Sequence, residues 1–304
     1  GIMGRHGRHS AAGQYRYSFA RTRLLRHAVP ERRQLLFRQP ASIVREKHTN
    51  LVTLVSLPEI ERTGFRIVKY KALTEMDKQK HKLYMAQILS MIFKDKELCN
   101  VLGFKGGTAL MFFYGLPRFS TDLDLNLLDA DKLDLVYSKV RSILTRFGTI
   151  DDEAKKLHGP VLVLNYGKGE RMLKVEISTR QFDNHYETRV LAGTDVRVLT
   201  LPDMFAHKLC AMGERLSPRD VFDVCFFLQQ LHANINEQII LERTGKSVAE
   251  YVGWCARRVR ETSPRLLMQG LGEVIDDART KNFVRTKLID ETAQALELFA
   301  AFPQ

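Results

Sequence analysis

The stretch that most constrains this chain is residues 104–128, FKGGTALMFFYGLPRFSTDLDLNLL. If Asp122 to Leu128 forms a strand, alternation sets Asp122 and Asp124 on one face and Leu123 and Leu125 on the other. Two carboxylates so placed repel each other, share a proton or hold a cation. Hard oxygen donors of this kind suit Mg²⁺ or Mn²⁺, above all where a polyphosphate completes the coordination. Upstream, Gly106 and Gly107 let a backbone approach closely, and Thr108 is placed to cap the helix that follows. A helix entered through such a turn offers its first N–H groups to an anion. Taken singly, a glycine turn before a helix and a D-x-D at a solvated strand end are both ordinary. Together they place a phosphate cradle beside a cation-binding pair and point to nucleotide chemistry.

The flanking sequence supplies a frame. ALMFFYGL after Thr108 is too apolar for a surface helix and predicts a buried one behind the site, ended by Gly115 and Pro117. Leu83, Ile88, Leu89, Ile92, Phe93 and Leu98 recur at helical spacing and predict one amphipathic helix over 77–101. Asp129 or Asp131 caps a further helix with Leu133, Val136, Val140, Ile143 and Leu144 inward, stopped by Gly148. VLVLNYG (161–167) and RMLKVEIST (171–179) predict a hairpin. In its second strand Glu176 shares a face with Lys174 and Ser178. Glu176 is either a third carboxylate for a two-cation site or an exposed residue paired with Lys174. Thr200 and Pro202 open a helix with Phe205, Leu209 and Met212 apolar and Lys208 beside them. Ser217-Pro218 opens another, with Val221, Val224, Cys225 and Leu228 inward. Asp220 and Asp223 lie near its start, where the helix dipole also favours acids. From residue 235 the pattern is helical and predicts a bundle.

GGTAL, a short helix, Tyr114-Gly115 and then R-x-S-x-D-x-D in a hydrophobic strand resemble the AbiEii/AbiGii-type nucleotidyltransferase toxins. These are bacterial toxins of abortive-infection, phage-defence and type IV-like toxin–antitoxin systems, with a DNA polymerase β-like catalytic core. The likeness is strong over 105–128, looser through 208–223, and spans residues 76–230. It implies an α+β fold: a nucleotidyltransferase-type mixed β-sheet core flanked by helices, with a C-terminal helical lobe. In such a division residues 1–75 are a basic extension, disordered or surplus, 76–200 the core, and 201–304 the lobe that completes the active site.

The resemblance also implies roles. Asp122 and Asp124 would hold Mg²⁺ or Mn²⁺ with Glu176. Lys105, Gly106, Gly107, Thr108 and Ser120 would cradle the triphosphate, with Arg118 and Lys208 neutralising it. The family's second motif, K-x-x-A, a basic residue and R-D-x-x-D, reads here Lys208, Ala211, Arg215, Arg219, Asp220 and Asp223. Asp220 ranks above Asp223 as the catalytic acid because it follows the arginine directly, and Asp223 is assigned to substrate binding. The partners implied are a nucleoside triphosphate, an RNA acceptor, most plausibly a tRNA 3′ end, and a cognate antitoxin protein. A nucleotide- or RNA-binding module without turnover, and a transferase acting on a protein hydroxyl, are the alternatives.

Charge and cysteines bear on setting. The net charge is +12, and residues 1–50 carry nine of these charges, with ten arginines and one lysine against two glutamates. That arm reads as a phosphate-binding segment, a transit-peptide-like leader or surplus sequence upstream of a start at Met76; the reading taken is a poorly ordered extension without catalytic role. Arg257, Arg258, Arg260 and Arg265 form a second basic cluster, read as a solvated helix face rather than an RNA contact. Cys99, Cys210, Cys225 and Cys255 are scattered in apolar contexts without C-x-x-C, as in a reduced, cytoplasmic protein. No run of about 18 apolar residues occurs, so no membrane span is expected. No G-x-S-x-G is present, which disfavours a serine hydrolase.

Overall fold

The computed structural model describes residues 76–301. The basic arm, the 1–75 extension and the β-prone stretches 51–57 and 65–70 lie outside the described residues. Seven strands form one mixed sheet among the described residues: β1 (Leu102–Lys105), β2 (Asp122–Leu127), β3 (Thr149–Lys156), β4 (Gly159–Asn165), β5 (Leu173–Ser178), β6 (Tyr186–Leu191) and β7 (Thr194–Leu199), in the order β3-β4-β5-β2-β1-β7-β6. The acidic strand β2 therefore sits at the centre. It pairs antiparallel with β1 and parallel with β5, and β1 pairs parallel with β7. The predicted hairpin is present as the antiparallel pair β4–β5.

Among the described residues eleven α-helices accompany the sheet: α1 (Lys78–Lys94), α2 (Leu98–Val101), α3 (Gly106–Phe113), α4 (Leu133–Leu144), α5 (Leu201–Arg215), α6 (Pro218–Phe226), α7 (Glu237–Thr244), α8 (Val248–Arg260), α9 (Pro264–Leu271), α10 (Ala278–Thr286) and α11 (Leu288–Ala301). The single helix expected over 77–101 is two. Asp95 ends α1, and its Oδ1 accepts from the N–H groups of Glu97 and Leu98 to start α2. A short polar side chain competing for backbone N–H groups is what breaks the run. Met85, Ile88, Leu89 and Ile92 of α1 and Val136, Val140 and Leu144 of α4 are buried in one core with Leu123, Leu125, Val175, Ile177 and Val198 of the sheet. Asp129 caps a 3₁₀ turn that leads into α4.

After β7 the described chain is helical. Phe205 of α5 stacks on Phe227 at 5.0 Å, and α11 packs against α8 and α6 through buried Ala293 and Leu296. Ser247 and Glu250 form a reciprocal capping box at the start of α8. Arg260 pairs with Glu297 and Arg258 lies over the Trp254 ring, so two of the four clustered arginines are tied within the helical part. Cys210, Cys225 and Cys255 are buried and free, with thiols pushed up by burial to about 11, 11 and 12. Among the described residues no helix is long and apolar enough to cross a membrane.

Candidate active site

β2 turns Leu123 and Leu125 into the core and Asp122 and Asp124 towards a cleft of about 660 Å³. The parallel register sets Asp122 opposite Lys174 and Asp124 opposite Glu176, while β1 places Lys105 opposite Asp124. Three carboxylates and two lysines thus meet on one sheet face. The Asp124 carboxyl is pushed above its usual range by burial and by the like charges of Asp122 and Glu176, against the pull of Lys174 and Lys105. Burial holds the Lys105 ammonium below its usual range. Lys174 Nζ lies 3.3 Å from Glu176 Oε2 and 3.7 Å from Asp122 Oδ2. Burial works against its charge, and the three carboxylates outweigh burial and hold it protonated. Glu176 is paired with Lys174 and also lies directly opposite Asp124 in the register.

The start of β2 is held from two sides. The Thr108 hydroxyl donates to the Asp122 carbonyl, and buried His81 donates from Nε2 to the Thr121 carbonyl at 2.9 Å while Nδ1 accepts from the Tyr166 hydroxyl. Burial keeps that imidazole neutral. Thr108 does not cap α3 as expected. The helix begins at Gly106, which places Thr108 inside the first turn, and Lys105 takes the cap position without a side-chain bond. Both glycines are required by contact. Gly106 has φ +85°, and a Cβ there would stand 2.5 Å from Asp124 Oδ2. A Cβ on Gly107 would stand 2.7 Å from Arg118 Nη2 and 3.0 Å from Ser120 Oγ.

The second sequence motif arrives on α5 and α6 as a buried charge network. Arg118 grips Asp223 with both arms, Nε to Oδ1 and Nη2 to Oδ2, each at 2.6 Å, and both side chains are almost wholly buried. Lys208 Nζ reaches Asp223 Oδ2 at 2.7 Å and Asp220 Oδ1 at 3.2 Å, and Arg215 Nε reaches Asp220 Oδ2 at 2.6 Å. Burial alone would raise the Asp223 carboxyl, yet Arg118 and Lys208 hold it below its usual range. Three cations against two carboxylates leave this network with one surplus positive charge facing the cleft.

Of the residues singled out by sequence, Lys105, Gly106, Gly107, Arg118 and Ser120 line the cleft, as do Asp122, Asp124, Glu176, Lys208 and Asp220. Thr108 and Asp223 lie behind that lining and bond to residues in it. Sequence reading did not bring Arg180, Phe182, His207 or Arg243 to the site, and all four line the cleft. Arg243 donates to His207 Nδ1 at 3.0 Å and to Glu214 at 2.6 Å, and its guanidinium lies 5.6 Å from the Phe182 ring centre. Burial, then Arg243, drives His207 down to about 3, so it is neutral there. The hint available in sequence was position: His207 precedes Lys208 on a helix, and Arg180 continues the face of Glu176 and Ser178.

Residues 87–301 match the family model described as Nucleotidyl transferase AbiEii toxin, Type IV TA system. The chain belongs to the AbiEii family. This AbiEii-family protein is a nucleotidyltransferase, and its mixed α+β fold is the expected one. No curated protein matches its sequence. It is similar to JHP933 from Helicobacter pylori at 22% identity, over 76% of this chain and 92% of that one, with a TM-score of 0.45. It is also similar to the nucleotidyltransferase toxin MenT4 from Mycobacterium tuberculosis, at 17% identity over 74% and 88% of the two chains, with a TM-score of 0.46. CdnG from Bradyrhizobium diazoefficiens in complex with GTP shares 12% identity over 75% and 87%, with a TM-score of 0.27.

Divalent cations are general in nucleotidyltransferases, and the donor set tests whether these residues suit one. Asp122, Asp124 and Glu176 offer hard oxygen donors side by side, with Asp124 directly opposite Glu176 in the strand register. The residues fit a cation that a polyphosphate would help to ligate. Among the described residues, no three or more His, Cys, Asp or Glu side chains converge as a ready-made cage.

Proposed function

We propose that this nucleotidyltransferase toxin moves a nucleoside monophosphate from a nucleoside triphosphate to an RNA acceptor, with a tRNA 3′ end as the favoured target. The observation that carries the reading is the meeting, in one cleft, of the carboxylate cluster with the Gly-Gly turn and the buried Arg118–Asp223–Lys208 network. Gly106, Gly107 and Ser120 would present N–H and hydroxyl groups to the phosphates. Arg118 and Lys208, oriented by Asp223 and Asp220, would carry the charge of the leaving pyrophosphate. The acceptor hydroxyl would attack the α-phosphorus in line, forming the new P–O bond as the bond to the β-phosphate oxygen breaks. Mg²⁺ or Mn²⁺ held by Asp122, Asp124 and Glu176 would lower the pKa of that hydroxyl and neutralise the pyrophosphate. Arg180 and Phe182, beyond Glu176 on the strand's path, would meet the acceptor's phosphate and base. A cognate antitoxin would restrain the enzyme, and the outcome of its activity would be growth arrest.

The test incubates the full chain with Mg²⁺, total tRNA and each α-labelled nucleoside triphosphate in turn. Label should enter RNA. Arg180→Ala should raise the KM for tRNA and leave nucleotide affinity unchanged. Label entering protein instead would redirect the acceptor to a hydroxyl side chain, and nucleotide binding without pyrophosphate release would remove turnover altogether.

The glycine turn carries its own prediction. Arg118 cannot yield to a new methyl group because Asp223 locks it. Gly107→Ala should therefore weaken Mg²⁺–nucleotide binding about tenfold, the scale of an overpacking cost of about 1–3 kcal/mol. Calorimetry on folded protein checks this, and wild-type affinity in the variant would move the phosphates away from the turn.

A further inference from the structure

Lys174 occupies the position where positive charge is most needed. Its Nζ stands 3.3 Å from Glu176 Oε2 and 3.7 Å from Asp122 Oδ2, between two of the three carboxylates. The strand register fixes it there, since β5 sets Lys174 directly beside Asp122. Its side chain is 36% exposed, so the ammonium is free to leave along the open side of the cleft. No other cation makes an ion pair with Asp122 or Glu176 among the described residues, and Asp124 has no ion pair there at all.

We propose that Lys174 is a resident counter-ion that holds the cation site of the nucleotide-free enzyme and must be displaced before a divalent cation can bind. The proposal rests on the reading of Asp122, Asp124 and Glu176 as cation ligands. Cation and nucleotide then bind as a coupled pair. A divalent ion alone must drive an ammonium away from two carboxylates, whereas an ion arriving with a triphosphate brings oxygens that take up the displaced ammonium. The cleft stays poor in divalent cation until nucleotide is present. Lys174 acts here through the carboxylates, as a positioning residue.

Mn²⁺ titration of the nucleotide-free full chain, followed by the paramagnetic resonance signal of free Mn²⁺, tests the idea without turnover. Lys174→Met and Lys174→Gln should each bind Mn²⁺ at least about tenfold more tightly than wild type, a modest share of a unit-charge repulsion at this range. Lys174→Arg, which keeps the charge, should stay close to wild type. With a non-hydrolysable nucleoside triphosphate present, the gap between wild type and Lys174→Met should narrow. If both neutral variants melt as wild type does and bind Mn²⁺ no more tightly, Lys174 is not a counter-ion, even where wild type takes up Mn²⁺ with nucleotide. If no variant binds Mn²⁺ with or without nucleotide, the cation reading of the three carboxylates falls with it.

Discussion

Asp124→Asn should lower nucleotidyl transfer by about a hundred- to a thousandfold or more while leaving the protein at least as stable as wild type. The first half follows from the loss of a charge aimed at the reacting centre, for which single-group removals cost about 10²–10³ in rate. The second half follows from the direction of the carboxyl's titration. Burial and the neighbouring Asp122 and Glu176 hold Asp124 above its usual range, so its charged form is disfavoured in the fold. A raised acid is a destabilising acid at neutral pH, because the unfolded chain ionises it more easily. Removing the charge relieves that cost. A rate assay paired with a melting curve checks both, and a variant that is inactive only because it unfolds would contradict the account. Asp122→Asn should behave alike in rate.

Asp223→Ala should do the opposite and destabilise the fold rather than merely silence the enzyme. The substitution leaves Arg118, almost wholly buried, without its bidentate partner and takes one of two carboxylates from Lys208. Removing one partner of a buried pair costs about 3–5 kcal/mol. Urea unfolding measures this directly. The double change Arg118→Met with Asp223→Leu should recover much of the loss in stability and none in activity, because no unpaired charge is left inside. The pH dependence has a definite sign. Arg118 and Lys208 outweigh burial and hold the Asp223 carboxyl below its usual range, so its contribution is full above the unfolded value and is lost as pH falls through the folded one. The gap between wild type and Asp223→Ala should hold from pH 7 down to about pH 4 and narrow only below it. A gap that closes between pH 7 and 5 would mean that Asp223 is not the partner of these cations.

What the sequence disclosed was local. The alternation of Asp122, Leu123, Asp124 and Leu125 announces a half-buried strand because side-chain period and burial coincide there, and Glu176 follows from the same rule on β5. The hairpin β4–β5 and the cap at Asp129 are readable for similar reasons. β3 was missed because TIDDEAKK is almost entirely polar and exposed, as suits a strand at a sheet edge, where charge discourages pairing with another chain. β1 was missed because four residues with a glycine carry no periodicity. That glycine, Gly103, leaves room for the Tyr186 ring, a partner 83 positions away. In the site, Arg118 and Lys208 were legible as cations, but their anchoring by Asp223 and Asp220 depends on how α5 and α6 lie against the turn before β2. The second cationic part of the cleft lining was invisible for the same reason: Arg180, His207 and Arg243 come from separate segments and meet only in the folded chain.

The grip of Arg118 on Asp223 spans 105 positions, and this gives the enzyme a birth order. A ribosome releases Gly106, Asp122, Asp124 and Glu176 well before it has made α6, and α6 itself is packed by α11, which comes later still. The acidic half of the cleft thus exists first as an incomplete site, with Arg118 unpaired and Lys208 without its acids. In this nucleotidyltransferase the helices made after the acidic strands are the ones that complete the cleft.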